Sequence, residues 1–148
     1  FTADSKLEGE STSVDISGLI GQYAHGNEPS HHIAHLYNYV GQPWRTQEIV
    51  DEVLHTLYFN NPDGLSGNED CGQMSAWYIL NAMGFYQVCP GKPVYSIGRP
   101  LFNEATVHLK DGKSFKVIAH NNSRDNKYVR SIVLNAISWR LHSSRIRI

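Results

Sequence analysis

The sequence predicts an α+β fold in which helices come first and a small antiparallel β region follows. Apolar residues recur at helical spacing between Val14 and Gly84, and beyond Gly84 they occur in short runs of β-branched and aromatic residues. Because the strands do not alternate with the helices, a parallel sheet built of βα units is not expected. We therefore divide the chain into a helical part, 1–84, and a strand part, 85–148.

The helical part is predicted to hold three helices after a polar lead-in over 1–13. Pro29 suits the first turn of a helix that ends at Gly41. A second helix is predicted over 44–58, then a loop with the sequence NNPDGLSGN, then a third helix over 71–83 that is apolar nearly all round and therefore expected to be buried. The apolar faces are formed by Ile33, Leu36, Tyr37 and Val40 in the first helix and by Ile49, Val50, Val53, Leu54 and Leu57 in the second.

The strand part contains four segments that are typical of β-strands: VYSIG, ATVHL, SFKVIAH and YVRSIVLN. The sequence KDGK separates the second segment from the third. Asp-Gly favours the tight turns that join antiparallel neighbours, so these two segments are predicted to form a hairpin.

Composition limits the functional classes. Apolar residues make up 41% of the chain and charged residues 18%, which indicates a globular protein. The net charge of −1 provides no basic field for nucleic acid or an anionic membrane, and no apolar run is long enough to span a membrane. The first residues lack a signal-peptide layout and read like a chain entered midway. Cys71 and Cys89 lack the clustering of a zinc site, and we expect two free thiols in the core.

The first stretch with candidate functional side chains is QYAHGNEPSHH, residues 22–32. Its turn delivers Asn27 and Glu28 to the start of a helix, with His31 and His32 on the first helical turn. Such crowded polar side chains can bind hydroxyl groups, a hard cation or both. The alternative, equally weighted on the residues alone, is a helix cap. The spacing Glu-x-x-His-His also allows a zinc hypothesis, although it matches neither HExxH nor HxxEH.

The stretch GLSGNEDCGQMSAW, residues 64–77, is the second. Glu69 and Asp70 follow a glycine-rich loop and stand at the start of the third helix, where the backbone N–H groups and the helix dipole favour an ionised carboxylate. An ionised carboxylate suits a general base that activates water. The alternative is that both acids cap the helix, which is a frequent use of such residues.

Two long blocks, GLIGQYAHGNEPSHHIAHLYNYVGQPWRTQ and GLSGNEDCGQMSAWYILNAMGFYQVCPGKPVYSIGRPLF, resemble glycoside hydrolase family 92. The similarity runs from about Asp15 to Asn135. The family comprises calcium-dependent exo-α-mannosidases that hydrolyse terminal α-linked mannose with inversion. Its members have a β-sandwich domain followed by an (α/α)6 barrel, with the active site between the two. The resemblance implies that this chain holds the last barrel helices and a small antiparallel β region that closes the catalytic domain.

The resemblance also implies roles for individual residues. Asn27 and Glu28 match the family's Asn-Glu-Pro motif, which lines the mannose subsite close to the calcium ion. His25, His31 and His32 lie beside that motif and are further substrate-binding candidates. A hard cation takes oxygen ligands, and the implied calcium ligands, besides backbone carbonyls, are Gln22, Asn27 and Glu28.

The segment GNED matches the family's acidic motif, which supplies the general base. Asp70 is the first candidate and Glu69 the second, since many members carry Asp at the position of Glu69. The general acid of the family comes from a segment upstream of the matched region. The C-terminal sequence AISWRLHSSRIRI departs from the family, which usually turns through glycine into a final strand after the position of Asn135.

The implied substrates are mannose-containing glycans, with α-1,2 linkages expected, and the implied partner is the N-terminal portion of the same enzyme. The implied location is secreted, periplasmic or on a bacterial cell surface. Without the upstream acid we expect this chain to be inactive alone. The competing hypothesis is a non-catalytic carbohydrate-binding remnant, and the zinc hydrolase ranks third.

Overall fold

A computed structural model describes residues 1–6, 16–140 and 145–147. Within these residues the fold is a mixture of short helices and small antiparallel sheets, as the sequence predicts. The helical elements are 3₁₀ helices at Glu28–Ser30, Ile33–Tyr39 and Lys110–Gly112, α1 at Pro43–Thr56 and α2 at Gln73–Ala82. The strands are β1 Leu19–Ile20, β2 Tyr23–Ala24, β3 Phe85–Tyr86, β4 Val94–Ile97, β5 Glu104–His108, β6 Ser114–Ile118, β7 Ser131–Leu134, β8 Ile137–Arg140 and β9 Arg145–Arg147.

The two predicted long helices are confirmed as α1 and α2. Pro43 stands in the first turn of α1, where its missing N–H costs nothing. The apolar face of α1 is buried as predicted, with Leu57 half-buried just beyond its end. Helix α2 begins two residues later than predicted because Asp70, Cys71 and Gly72 all have positive φ, which a right-handed helix excludes. The buried residues of α1 are Thr46, Gln47, Ile49, Val50, Val53 and Leu54.

The first predicted helix is 3₁₀ rather than α, and it is preceded by a hairpin. In a 3₁₀ helix side chains three positions apart eclipse, which lets His35 and Asn38 both bond the Ser96 hydroxyl of β4. The prediction of a helical pattern from Val14 onward is wrong at Leu19–Ala24, where β1 and β2 pair across a turn through Gly21. Val14 itself and most of the predicted lead-in lie outside the described residues.

The predicted strand segments form β4, β5, β6 and β7. Strands β5 and β6 pair across KDGK, where Asp111 and Gly112 take the left-handed conformations that such turns require. Strands β3, β4 and β9 form a three-stranded sheet, and β7 pairs with β8. The β7–β8 turn passes through Asn135 and Ala136, both at positive φ, so the hairpin forms without the glycine usual in the family.

The core lies where α1 packs against both the long 3₁₀ helix and α2, around Val50, Val53 and Trp77, all of which have no exposed surface. Helix α2 is not buried all round as predicted, because Ile79 on its outer face is 55% exposed. Both cysteines are free as expected, but they are exposed rather than in the core. No helix in the described ranges is long and apolar enough to cross a membrane.

Candidate active site

Loop contacts bring the two candidate stretches, residues 22–32 and 64–77, next to each other. The Ser17 hydroxyl donates to the Ser66 carbonyl oxygen at 3.2 Å, and the Gly26 N–H donates to the Ser17 carbonyl oxygen at 3.0 Å. Residue 17 therefore joins the backbone just before Asn27 to the backbone just before Glu69. The fold places the Asn-Glu-Pro turn and the GNED segment on one side of the molecule, as a shared site requires.

The Asn27–Glu28 turn does not act as a side-chain cap. Asn27 is extended, at φ −139° and ψ 139°, and precedes the Glu28–Ser30 helix without a hydrogen bond from its side chain to that helix. Both residues are partly exposed. The capping alternative is therefore not realised at Asn27, and its amide is available to a ligand.

Glu69, in contrast, caps α2. Its Oε1 accepts a hydrogen bond from the Ser75 backbone N–H at 3.0 Å, and its Oε2 accepts one from the Ser75 hydroxyl at 2.8 Å. These two bonds stabilise the ionised form and hold the pKa of Glu69 below its usual value. Both carboxylate oxygens therefore have a partner on the first turn of α2.

Asp70 stands on an unusual turn of backbone. Asp70, Cys71 and Gly72 have φ values of 48°, 56° and 91°, so three successive residues are left-handed. Two of them are not glycine, and each such residue costs about 1–2 kcal/mol. The Asp70 side chain lies at the surface. The backbone carbonyl oxygen of Asp70 accepts a hydrogen bond from the Gln73 backbone N–H at 3.2 Å. Strained conformations of this kind concentrate at functional sites, which favours Asp70 as the reactive carboxylate.

His25 lies beneath the site and belongs to a buried chain of hydrogen bonds. Tyr58 donates its hydroxyl hydrogen to the Met74 carbonyl oxygen at 3.1 Å, so it accepts from Nε2–H of His25 at 2.6 Å. Nδ1 of His25 in turn accepts the Tyr23 hydroxyl at 2.8 Å. Burial lowers the pKa of His25 to about 3, with the neighbouring His31 as a further cause. His25 is therefore neutral, and both of its ring nitrogens have partners.

His31 is also buried and links the two loops. Its Nε2–H donates to the His25 carbonyl oxygen at 3.0 Å, and its Nδ1 accepts from the Gln73 amide at 3.1 Å. The Trp77 indole N–H donates to the His31 carbonyl oxygen at 3.0 Å. Burial, above all, lowers the pKa of His31. The histidine ring is thereby held neutral between the Asn-Glu-Pro turn and α2.

Gln73 and Tyr58, which hold these histidines, are not predicted from the sequence. Each is more than 30 positions from its histidine partner along the chain, so no local pattern connects them. Trp77, the neighbour of both histidines on α2, is fully buried. His32 is the one exposed member of the predicted histidine set.

The residues proposed for calcium fit it in chemistry but form only part of a site. Asn27 and Glu28 offer oxygen donors at an accessible surface, and the Gln22 amide nitrogen donates to the Asp4 carbonyl oxygen. In the part of the chain that the structure describes, no group of three or more His, Cys, Asp or Glu side chains converges as a metal site. Further ligands would have to be carbonyls, water or groups outside these ranges. The zinc alternative also loses His31, whose two ring nitrogens are engaged.

The model of the glycosyl hydrolase family 92 catalytic domain matches residues 2–147. The chain belongs to glycosyl hydrolase family 92. A family 92 α-mannosidase from Bacteroides thetaiotaomicron, solved in complex with mannoimidazole, superimposes with a TM-score of 0.83 at 45% identity, over 90% of this chain and 17% of that one. An inverting mannosidase of the same family and organism superimposes with a TM-score of 0.74 at 48% identity, over 86% of this chain and 17% of that one.

A curated relative of this family 92 chain is an uncharacterized secreted glycosidase from Arthroderma benhamiae. It is 29% identical over 113 residues, which cover 74% of this chain and 14% of the relative. The family 92 chain described here therefore spans about a sixth of the length of the solved relatives and less of the curated one.

Proposed function

We propose that this chain is the C-terminal part of a calcium-dependent, inverting exo-α-mannosidase. Its substrate is terminal α-linked mannose on glycans, α-1,2-linked in preference, and its location is secreted, periplasmic or on a bacterial cell surface. Residues 1–84 belong to the end of an (α/α)6 barrel, and 85–148 close the catalytic domain. The observation that carries the proposal is the likeness to two solved family 92 mannosidases at 45% and 48% identity over almost the whole chain.

In this proposal Asp70 is the general base. It takes a proton from a water molecule, whose oxygen bonds the anomeric carbon as the glycosidic bond breaks, and the leaving oxygen takes a proton from an acid outside this chain. Inversion requires about 6.5–9.5 Å between the two carboxyl groups, so that the water fits between them. The strained turn at Asp70 is the observation that supports Asp70 over Glu69.

Asn27 and Glu28 bind the terminal mannose in this proposal, with His32 at the edge of the subsite and His25 and His31 supporting it from below. Calcium, when bound through Gln22, Asn27 and Glu28, supplies positive charge that holds sugar hydroxyl groups. The exposure of Asn27 and Glu28 supports direct contact with sugar, whereas the burial of His25 and His31 favours an indirect role.

Asp70→Asn in the complete polypeptide tests the assignment of the base. A general base contributes about 10²–10⁴-fold to rate, so we expect kcat for release of mannose from α-1,2-mannobiose to fall by that factor. The midpoint of thermal unfolding should stay nearly unchanged, because the Asp70 side chain is at the surface. Glu69→Gln is the matched control and should reduce kcat much less. Near-normal turnover in Asp70→Asn would contradict the assignment of Asp70 as the general base.

Calcium and stereochemistry are tested on the same protein. Removal of metal by a chelator should abolish mannose release, and calcium should restore it; stoichiometric zinc without calcium dependence would support the zinc hydrolase instead. Proton NMR of the first product should show β-mannose. Mannose binding without any release of sugar, measured calorimetrically on the complete polypeptide, would favour the non-catalytic alternative. The 148-residue chain alone should release no mannose.

A further inference from the structure

Gly26 and Gly67 meet backbone to backbone, and neither has room for a side chain. A Cβ at Gly67 would lie 2.4 Å from the Gly26 carbonyl oxygen, and a Cβ at Gly26 would lie 2.3 Å from the Ser66 carbonyl oxygen. Gly67 also has φ of 119°, a conformation that side chains disfavour. We call this contact the glycine joint. The Ser17 hydroxyl closes it by its hydrogen bond to the Ser66 carbonyl oxygen.

The glycine joint stands directly before both halves of the candidate site. Asn27 and Glu28 follow Gly26 immediately, while Glu69 and Asp70 follow Gly67 after a single intervening residue. On the far side of the same segments, the Gln73 amide bonds Nδ1 of His31 at 3.1 Å. Each half of the site is therefore held at both of its ends, with the shorter and stiffer attachment at the joint.

We propose that Gly26 and Gly67 are positioning residues that set the distance between the mannose-binding turn and the catalytic base. This inference rests on the proposed function, since it assigns Asn27 and Glu28 to the sugar and Asp70 to the attacking water. Only two glycines allow the loops to approach this closely. A side chain introduced at Gly26 or Gly67 would therefore move Asp70 relative to the bound mannose without contacting either of them.

The size of that movement follows from the distances. A Cβ at Gly67 must retreat from 2.4 Å to an ordinary contact of about 3.4 Å from the Gly26 oxygen, which is a displacement of about 1 Å. A misplacement of about 1 Å can cost roughly 100-fold in rate. Substrate affinity depends on the turn that stays attached to the sugar, so the loss should fall on kcat rather than on KM.

Gly67→Ala in the complete polypeptide tests the proposal, with Gly84→Ala as the matched control. Gly84 also has positive φ, of 95°, and its Cβ would lie 3.0 Å from the Pro100 ring, but it stands at the far end of α2. We expect both variants to lower the unfolding midpoint. Only Gly67→Ala should lower kcat for mannose release, by about 100-fold with KM nearly unchanged.

Ser17→Ala is the second variant, and it tests the positioning role of the glycine joint if Gly67→Ala does not fold. It loosens the joint by removing one hydrogen bond, so we expect kcat to fall less than in Gly67→Ala, by about threefold, with KM nearly unchanged. Unchanged kcat in Ser17→Ala or in folded Gly67→Ala would overturn the proposal, as would equal losses in Gly67→Ala and Gly84→Ala. An inactive wild-type enzyme, by contrast, would overturn the proposed function itself.

Discussion

Glu69 and Asp70 are neighbours of identical charge type, yet the fold gives them different surroundings. Glu69 keeps two partners on Ser75 and serves as the cap of α2. Asp70 begins three left-handed residues that turn the backbone before the helix starts. The two hydrogen bonds from Ser75 stabilise the charge of Glu69 and anchor that carboxylate to the first turn of α2. The different surroundings of the two acids depend on backbone direction, which changes between one residue and the next.

The capping role of Glu69 predicts a pH-dependent contribution to stability. Its pKa in the folded protein lies below the usual value of 4.5 because of the Ser75 bonds. A lowered folded pKa means that the contribution is complete above pH 4.5 and is lost as pH falls through the folded pKa. We expect hydrogen exchange in α2 to be faster in Glu69→Gln than in wild type at pH 7, and the difference to shrink towards pH 3. Ser75→Ala is the control, and a difference that grows on acidification would contradict the role.

At the scale of elements, the surroundings decided helix type and helix limits. The spacing of apolar residues over 33–40 indicates a helix but cannot distinguish α from 3₁₀, because both expose one face to the core. The segment winds as 3₁₀ in the structure, where His35 and Asn38 both bond Ser96 on a strand about 60 residues away. The start of α2 likewise depends on the left-handed turn at residues 70–72.

The β7–β8 turn predicts a stabilising substitution. Ala136 has φ of 67°, and a non-glycine residue there costs about 1–2 kcal/mol. Glycine removes that cost and adds about 0.5–1 kcal/mol of backbone entropy lost on folding. Ala136→Gly should therefore stabilise the hairpin by about 0.5–1 kcal/mol, seen as slower hydrogen exchange in β7. Ala105→Gly, within β5, should destabilise its own hairpin. Faster exchange in Ala136→Gly would show that the turn is not strained.

At the scale of the whole molecule, large apolar side chains stand exposed on the helical part. They include Leu36, Val40, Trp44 and Ile79, all between 44% and 68% exposed. Single exposed apolar residues are ordinary, but four on the helical part form a surface that we expect a polypeptide of the solved relatives' length, about six times longer, to cover.

Ile79→Glu tests whether that outer face of α2 is covered in the complete polypeptide. A charge placed against an apolar neighbour is costly to bury, so we expect a clear fall in the midpoint of thermal unfolding. Lys110→Glu, in the exposed β5–β6 turn, changes charge at an open position and should leave the midpoint nearly unchanged. An equally small effect in Ile79→Glu would mean that the face remains in water.

Much of this molecule follows from short-range patterns. Apolar periodicity predicts α1 and α2. Runs of β-branched and aromatic residues, with Asp-Gly between them, predict β5 and β6, and the two motif blocks identify the family and its candidate acids. These features lie within a few positions of each other, where local geometry and propensity determine the outcome. They are therefore readable from a single sequence.

Tertiary structure alone decided the rest. It made Glu69 a cap, buried His25 and His31 as neutral hydrogen-bonded rings, and brought Gly26 against Gly67. Each of these results depends on which groups lie nearby in space. Apart from Ser75, Tyr23 and the mutual contact of the two histidines, the partners named above stand some 30 to 50 positions away along the chain. Desolvation and steric contact have no signature in sequence order, because they arise only when the chain has folded around the residue.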